Sequence, residues 1–507
     1  MRWAVFIILA AAPAMAQLRA VNAASGLPAD SAATGLAPGS LCTVRTWELY
    51  SPTGDLPEGE KLTLRFRANG ASGDLTVVDA SRSFEFMVLI PADAAVGESE
   101  IVAVSAGGRE FVAKVWIAAS GFGIFTRGYS AAAAQIVRSG VENTGLTNPV
   151  HPSDWVTLWG TGLGSGIAAI EVAGISVAPA YAGPAPGLPG VDQINFQFPA
   201  GVPDDCYIPL SVKVDGRPSP LASIPAASMP GPCHHRMGLP PDTLAALDRN
   251  STIRVSQIWV HSDVIPNFPP DGLYLRSDTA SIDFLGGGAA IVEAYTGLLI
   301  PKTEGCGISP VQPSGVIGVL ARFIDAGHPV LTGPGVRIPM EGSMLRYYTP
   351  ASTTTYPLDK VPPSMFVPGA WSISTPGGKD VGAFQVDLRL PPPLAWTNRA
   401  AIGPVSRDGD LVLKWDPAGY SDAEWMQGSI GIGTASVQCG APATAGSITI
   451  PASLLAQLPA ATVAKGNVHL LLTPRDPLLY RLPWADGGTV FGAARFSYLE
   501  MVTVDLR

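Results

Sequence analysis

Two stretches of this chain repeat one unit, and that repeat limits the fold more than any catalytic motif does. Pro91-Ala92 is followed seventeen residues after the proline by Gly108-Arg109, and Pro199-Ala200 is followed at the same spacing by Gly216-Arg217. Upstream, Ala37-Pro38-Gly39-Ser40-Leu41-Cys42-Thr43-Val44 aligns with His151-Pro152-Ser153-Asp154-Trp155-Val156-Thr157-Leu158. Self-similarity of this kind marks a modular architecture, here two tandem units.

Composition decides what the modules are made of. Gly 56 and Pro 48 make up about a fifth of the 507 residues, and charged residues only 14%. That balance suits short strands joined by turns and argues against long helices. A hydrophobic content of 47% excludes a disordered chain. The net charge of −9 speaks against non-specific binding to nucleic acid or anionic lipid.

Local patterns agree. Lys61-Leu62-Thr63-Leu64-Arg65-Phe66-Arg67 alternates polar and apolar, which puts Leu62, Leu64 and Phe66 on one face of a half-buried strand. Ile208, Leu210, Val212 and Val214 alternate in the same way before the turn at Asp215-Gly216. A Pro-rich stretch from Pro218 to Pro241 separates the repeated pair from the rest, and Asp242 is placed to cap a short helix. Phe384–Leu390 reads as a strand stopped by Pro391-Pro392-Pro393, and Pro451 as the opening of a short helix over Ala452–Leu458.

The N-terminus reads as a secretory signal. Arg2 precedes an apolar run from Trp3 to Ala12, and Ala14-Met15-Ala16 forms a small-x-small cleavage site. The run is too short for a bilayer span, and Gln17 gives no cysteine for lipid attachment. Export permits disulfides. Of five cysteines, Cys206 and Cys233 bracket one strand-rich segment and form the expected pair, contributing roughly 3–4 kcal/mol in the chain-entropy model. The odd count leaves a thiol free, for which Cys42, buried within its strand, is the candidate.

With those residues in view, the chain resembles a family of exported proteins abundant in Acidobacteria such as Solibacter, whose repeated module is an Ig-like, IPT/TIG-like domain. Family members carry a segment like PGSLVTIYGTNLG, matched by Pro38 to Val44 and better by Trp155-Val156-Thr157-Leu158-Trp159-Gly160-Thr161-Gly162-Leu163-Gly164. The second copy continues in family order through Tyr181-Ala182-Gly183, Gln193-Ile194-Asn195 and Pro199-Ala200-Gly201, and Gly123-Ile124-Phe125-Thr126 looks like the family's linker. The first copy lacks the Gly-Thr-Gly turn. The resemblance implies a fold and a location, and supplies no catalytic residues. It completes the expected division: a signal peptide at 1–16, a degenerate Ig-like module at 17–120, an Ig-like module at 121–230, a β-rich domain at 231–375 and a β-sandwich-like domain at 376–507.

Candidate chemistry is sparse. The glycine run from Gly160 to Gly166 precedes a strand, not a helix, so it reads as a β-turn and not a phosphate cradle. Cys233-His234-His235 reads as a half-cystine beside two exposed histidines, because neighbouring side chains of an extended segment diverge. Asp408-Gly409-Asp410 and the acids from Asp416 to Asp422 lack calcium-loop spacing, and Glu58 and Glu60 sit in a turn. No catalytic residue, metal ligand or cofactor is nominated. Sugar rings stack on exposed aromatics, and Trp47, Trp159, Trp259 and Trp425 are the candidates, whereas Trp415 alternates into a core.

These readings converge on a mainly β protein: tandem Ig-like sandwiches, further β-rich domains and little helix. The expected role is adhesion, scaffolding or glycan binding at the cell surface, in the periplasm or outside the cell. Polysaccharide or envelope proteins are the expected partners; nucleic acid and membrane insertion after signal cleavage are not expected. The alternative is an exported hydrolase with its active site in residues 231–507 and the Ig-like modules as spacers.

Overall fold

Alternating apolar residues build each N-terminal module as two sheets facing across a shared core. The computed structural model describes residues 18–46, 49–50, 56, 60–82, 84–127, 131–138, 140–235, 239–249, 253–266, 273–287, 304–310, 324–343, 346–350, 354–432, 435–458, 464–486 and 489–507. In the first module, Arg19–Asn22, Leu41–Arg45, Glu85–Leu89 and Thr76–Arg82 pair in that order, opposite a sheet ordered Ala71–Asp74, Leu62–Ala68, Gly97–Ser105, Glu110–Ile117. Cys42, Val44 and Val88 from one sheet meet Leu64, Phe66 and Ile101 from the other.

The second module repeats the plan with more strands. One sheet runs Val141–Asn143, Ala134–Val137, Trp155–Thr161, Asp192–Gln197, Tyr181–Pro184. The other runs Thr126–Arg127, Ala131–Ala132, Ala222–Ala226, Asp205–Val214, Ala168–Val172, Ile175–Val177. Val156, Leu158, Ile194 and Phe196 pack against Ile170, Leu210, Val212 and Ile224. The sequence repeat falls on equivalent places. Leu41–Arg45 pairs antiparallel with Glu85–Leu89 as Trp155–Thr161 does with Asp192–Gln197, and Gly108 and Gly216 both turn at positive φ.

A backbone joint fixes one module to the next. Gly121 N–H donates to Gly162 O at 2.8 Å, and Asn22 Nδ2 donates to Gly121 O at 2.8 Å. Gly164 lies at φ +59, where a Cβ would stand 1.9 Å from Ala119 O, so only glycine lets the linker approach. The glycine run is a strand-to-strand turn whose further task is to seat this linker.

Beyond the second module, sheet pairing crosses the expected boundary at residue 376. One large sheet is ordered Gly305–Pro310, Ala435–Pro442, Glu424–Ile432, Ala464–Pro474, Thr489–Leu506, Ile253–Pro266, Leu273–Gly287, Arg346–Tyr348, Glu341–Ser343. Strands from both expected domains take part in it, and one core joins Ile258 and Phe284 to Met426, Leu470 and Phe496. The division fails because Ile253–Pro266 pairs in parallel with Thr489–Leu506, a long-range contact that no local pattern announces. Trp415, in this core, is 3% exposed.

The helix at Pro241–Asp248 has Pro240 as its N-cap residue, so Asp242 is within the first turn and not the cap. At its far end Asp248 accepts from the amides of Leu146 and Thr147, both at 2.8 Å. Leu244 and Leu247 pack with Leu146, Tyr207, Val255 and the Cys206–Cys233 disulfide in a small core between the second module and the C-terminal unit. A second disulfide, Cys306–Cys439, spans 133 residues. Cys42 is free and buried, with its thiol pushed up to about 12 by loss of solvent.

Two outcomes are expected. Phe196→Ala should cost about 3–5 kcal/mol in chemical denaturation, since Phe196 is fully buried between the sheets. Native protein should leave Cys42 unalkylated by iodoacetamide, with labelling only on unfolding, because the reactive form is the thiolate.

Candidate functional site

The core of the second module dictates what its first sheet shows to solvent. Val156 and Leu158 turn inward, so Trp155, Thr157 and Trp159 turn outward. Register completes the face. Trp155 lies opposite Gln197, Thr157 opposite Asn195 and Trp159 opposite Gln193; Tyr181 then lies beside Asn195 on the next strand. On the other flank Gln135 adjoins Thr157, Val137 adjoins Trp155, and Asn143 adjoins Gln135.

The result is a broad, open surface with three aromatic corners. Trp155 is 47% and Tyr181 41% exposed, and Trp159 is half-buried. Trp155 and Trp159 are separated by about 13 Å along the strand, and Tyr181 stands about 10 Å to the side of Thr157. Amides fill the space between. Gln193 Nε2 donates to Asn195 Oδ1 at 2.9 Å, Gln135 Nε2 to Asn143 Oδ1 at 3.3 Å, and Tyr181 OH to Pro184 O at 2.7 Å. Those bonds orient the side chains and leave Asn195 Nδ2 as donor and Gln193 Oε1 as acceptor toward solvent.

None of these outward positions carries Asp, Glu, His, Lys or Arg. The nearest ion pair, Arg138 Nη2 to Asp154 Oδ2 at 2.6 Å, is on the rim and internally matched. The corresponding face of the first module is different. It holds the Arg45–Glu85 pair at 3.1 Å, and the Leu41 and Leu89 side chains press on the Gly190 backbone, where a Cβ would meet each at 2.7 Å. Thr161 Oγ1 accepts from Leu41 N at 2.9 Å and donates to Gly190 O at 2.6 Å. One module thus uses this face for docking, and the other leaves it open.

The four tryptophans nominated from sequence fare differently. Trp159 is on the open face. Trp259 is half-buried on the large sheet, its indole N–H donating to Ser497 Oγ at 2.8 Å and its ring covered by Arg495 at 4.7 Å. Trp425 is 2% exposed beneath Arg475, which rules it out as a platform because no ring face is free. Trp47 lies outside the described residues, as does Glu58. Sequence reading missed Trp155 and Tyr181; the W-V-T-L-W alternation was visible, but the pairing that brings Tyr181 alongside was not.

Other candidates resolve into structural parts. His235 is 3% exposed and packs edge-on to Tyr207 at 5.5 Å, which corrects the expectation of two exposed histidines. Asp410 Oδ1 accepts from Ala452 N at 2.8 Å at the start of the short helix Ala452–Leu455. Among the described residues no group of three or more His, Cys, Asp or Glu could hold a metal ion. In the C-terminal unit His261 Nδ1 and Asp263 Oδ2 are 2.9 Å apart. A groove of about 610 Å³ there is lined by His328, Arg337, Ser374, Phe384 and Gln385 among others, none of them Asp or Glu. It therefore lacks the acid pair of glycoside hydrolysis.

No family model matches the chain, and no curated protein matches it. Solved structures do. The SGBP-B protein of the Bacteroides ovatus mixed-linkage glucan utilization locus, in complex with a mixed-linkage heptasaccharide, is 9% identical with a TM-score of 0.15, covering 79% of each chain. Sidekick-1 immunoglobulin domains 1–4 are 11% identical with a TM-score of 0.12, covering 97% of this chain and 100% of that one. Domains 4–9 of the surface layer protein SbsC are 10% identical with a TM-score of 0.19, covering 94% and 81%. At these scores the likenesses carry no functional argument. No helix among the described residues is long and apolar enough to cross a membrane.

Limited oxidation with N-bromosuccinimide should modify Trp155 well before Trp415 and Trp425, read residue by residue by mass spectrometry.

Proposed function

We propose that this chain is an exported, multi-domain β protein that binds glycans through the open face of its second module. The observation that carries this reading is the juxtaposition of Trp155, Trp159 and Tyr181 with the amides of Gln193, Asn195 and Gln135 on one exposed sheet surface. Pyranose C–H groups carry partial positive charge and seat against the negative face of an aromatic ring. Sugar hydroxyls both donate and accept, as carboxamides do. Export is supported by the N-terminal sequence pattern and by two disulfides, which persist in oxidising compartments.

Isothermal titration and affinity electrophoresis against soluble polysaccharides test the reading. Trp155→Ala and Tyr181→Ala should each weaken binding by about tenfold or more, or about 1.4 kcal/mol. Val112→Ser, at an exposed position of the first module, should leave binding unchanged. Undiminished affinity in both face variants would sink the proposal. With no carboxylate, imidazole, amine or thiol on the face, affinity should stay level between about pH 5 and about pH 9; a titration step in that window would contradict this assignment.

A further inference from the structure

We infer that the ligand is a run of several uncharged sugars in the interior of an extended polymer, held without a bridging cation. The inference rests on the glycan reading of this face and goes on to specify the class of glycan.

Charge comes first. Acidic polysaccharides need counter-charges from Lys or Arg, or a cation held between carboxylates. The face presents neither, because every outward side chain from Asn143 across to Tyr181 is aromatic, aliphatic, hydroxyl or carboxamide. The rim guanidinium of Arg138 is already engaged by Asp154, by Asn148 Oδ1 at 3.0 Å and by Pro149 O. The chain's net charge of −9 adds repulsion toward a polyanion.

Length comes second. The aromatic corners lie about 10–13 Å apart, farther than one pyranose reaches. A single sugar covers one corner, whereas a chain engages two rings and the amides between them. Linked contacts of this kind raise affinity without any new type of interaction.

Openness comes third. Val137 and Val141, 45% and 68% exposed, continue the surface past Gln135 and Asn143 without a wall. Among the described residues nothing along this flank selects a chain end, so a polymer can enter and leave across the sheet.

The full chain and the double variant Trp155→Ala/Tyr181→Ala should be titrated with glucose, with cellobiose through cellohexaose, with maltose through maltohexaose and with polygalacturonate, each with and without EDTA. The expected result is a neutral series whose affinity rises at least about tenfold from disaccharide to hexasaccharide. It should exceed affinity for polygalacturonate, ignore EDTA and vanish in the variant. Polygalacturonate binding as tightly as the neutral series, or glucose as tightly as the hexasaccharides, with loss in the variant, would overturn the ligand class and leave the glycan reading standing. So would loss of binding in EDTA. Binding that is equal in wild type and variant, or absent from both, would overturn the glycan reading itself. Both replaced side chains are exposed, and an unchanged Tm of the variant verifies that its fold is intact.

Discussion

The burial of Val156 and Leu158 against the opposing sheet is the constraint on which the rest of the functional surface depends. Side chains of a strand alternate, so fixing these two inward fixes Trp155, Thr157 and Trp159 outward. A one-residue slip of Trp155–Thr161 would carry Val156 and Leu158 into water at a cost of roughly 3–6 kcal/mol. That is a large share of the net stability of a domain. The face is therefore held in register by the core behind it, and its composition is free to answer to a ligand.

The same sandwich serves two ends in this chain. In the first module the equivalent surface is spent on a joint, where Leu41 and Leu89 meet the Gly190 backbone and Thr161 bridges the two modules. In the second it is left open, while that module is tied to the C-terminal unit through Asp248, Leu244, Leu247 and the Cys206–Cys233 disulfide. Surfaces occupied by joints meet through apolar contacts and hydrogen bonds to backbone groups. The surface left free is aromatic and uncharged.

Much of this was legible in the residues alone. The two modules follow from the internal repeat, and the alternation of Ile208 to Val214 and the inward Trp415 from periodicity, because strand faces are written at a period of two. Trp159 was nominated as a stacking candidate for its ring alone, and Trp155, on the same strand face, was not. Tyr181 was not, since it reaches the site only through pairing of Tyr181–Pro184 with Asp192–Gln197. Trp425 looked as available as Trp159, and only the guanidinium of Arg475 laid over it shows otherwise. The unity of the C-terminal half was hidden for a like reason: Ile253–Pro266 and Thr489–Leu506 are neighbours in space and distant in sequence.

A crystal structure of the chain soaked with a neutral hexasaccharide would show where the sugar sits. Sugar rings should lie over Trp155 and either Trp159 or Tyr181, with hydroxyls bonded to Gln193 or Asn195. Sugar bound in the groove beside Arg337, with the second module's face bare, would contradict this placement.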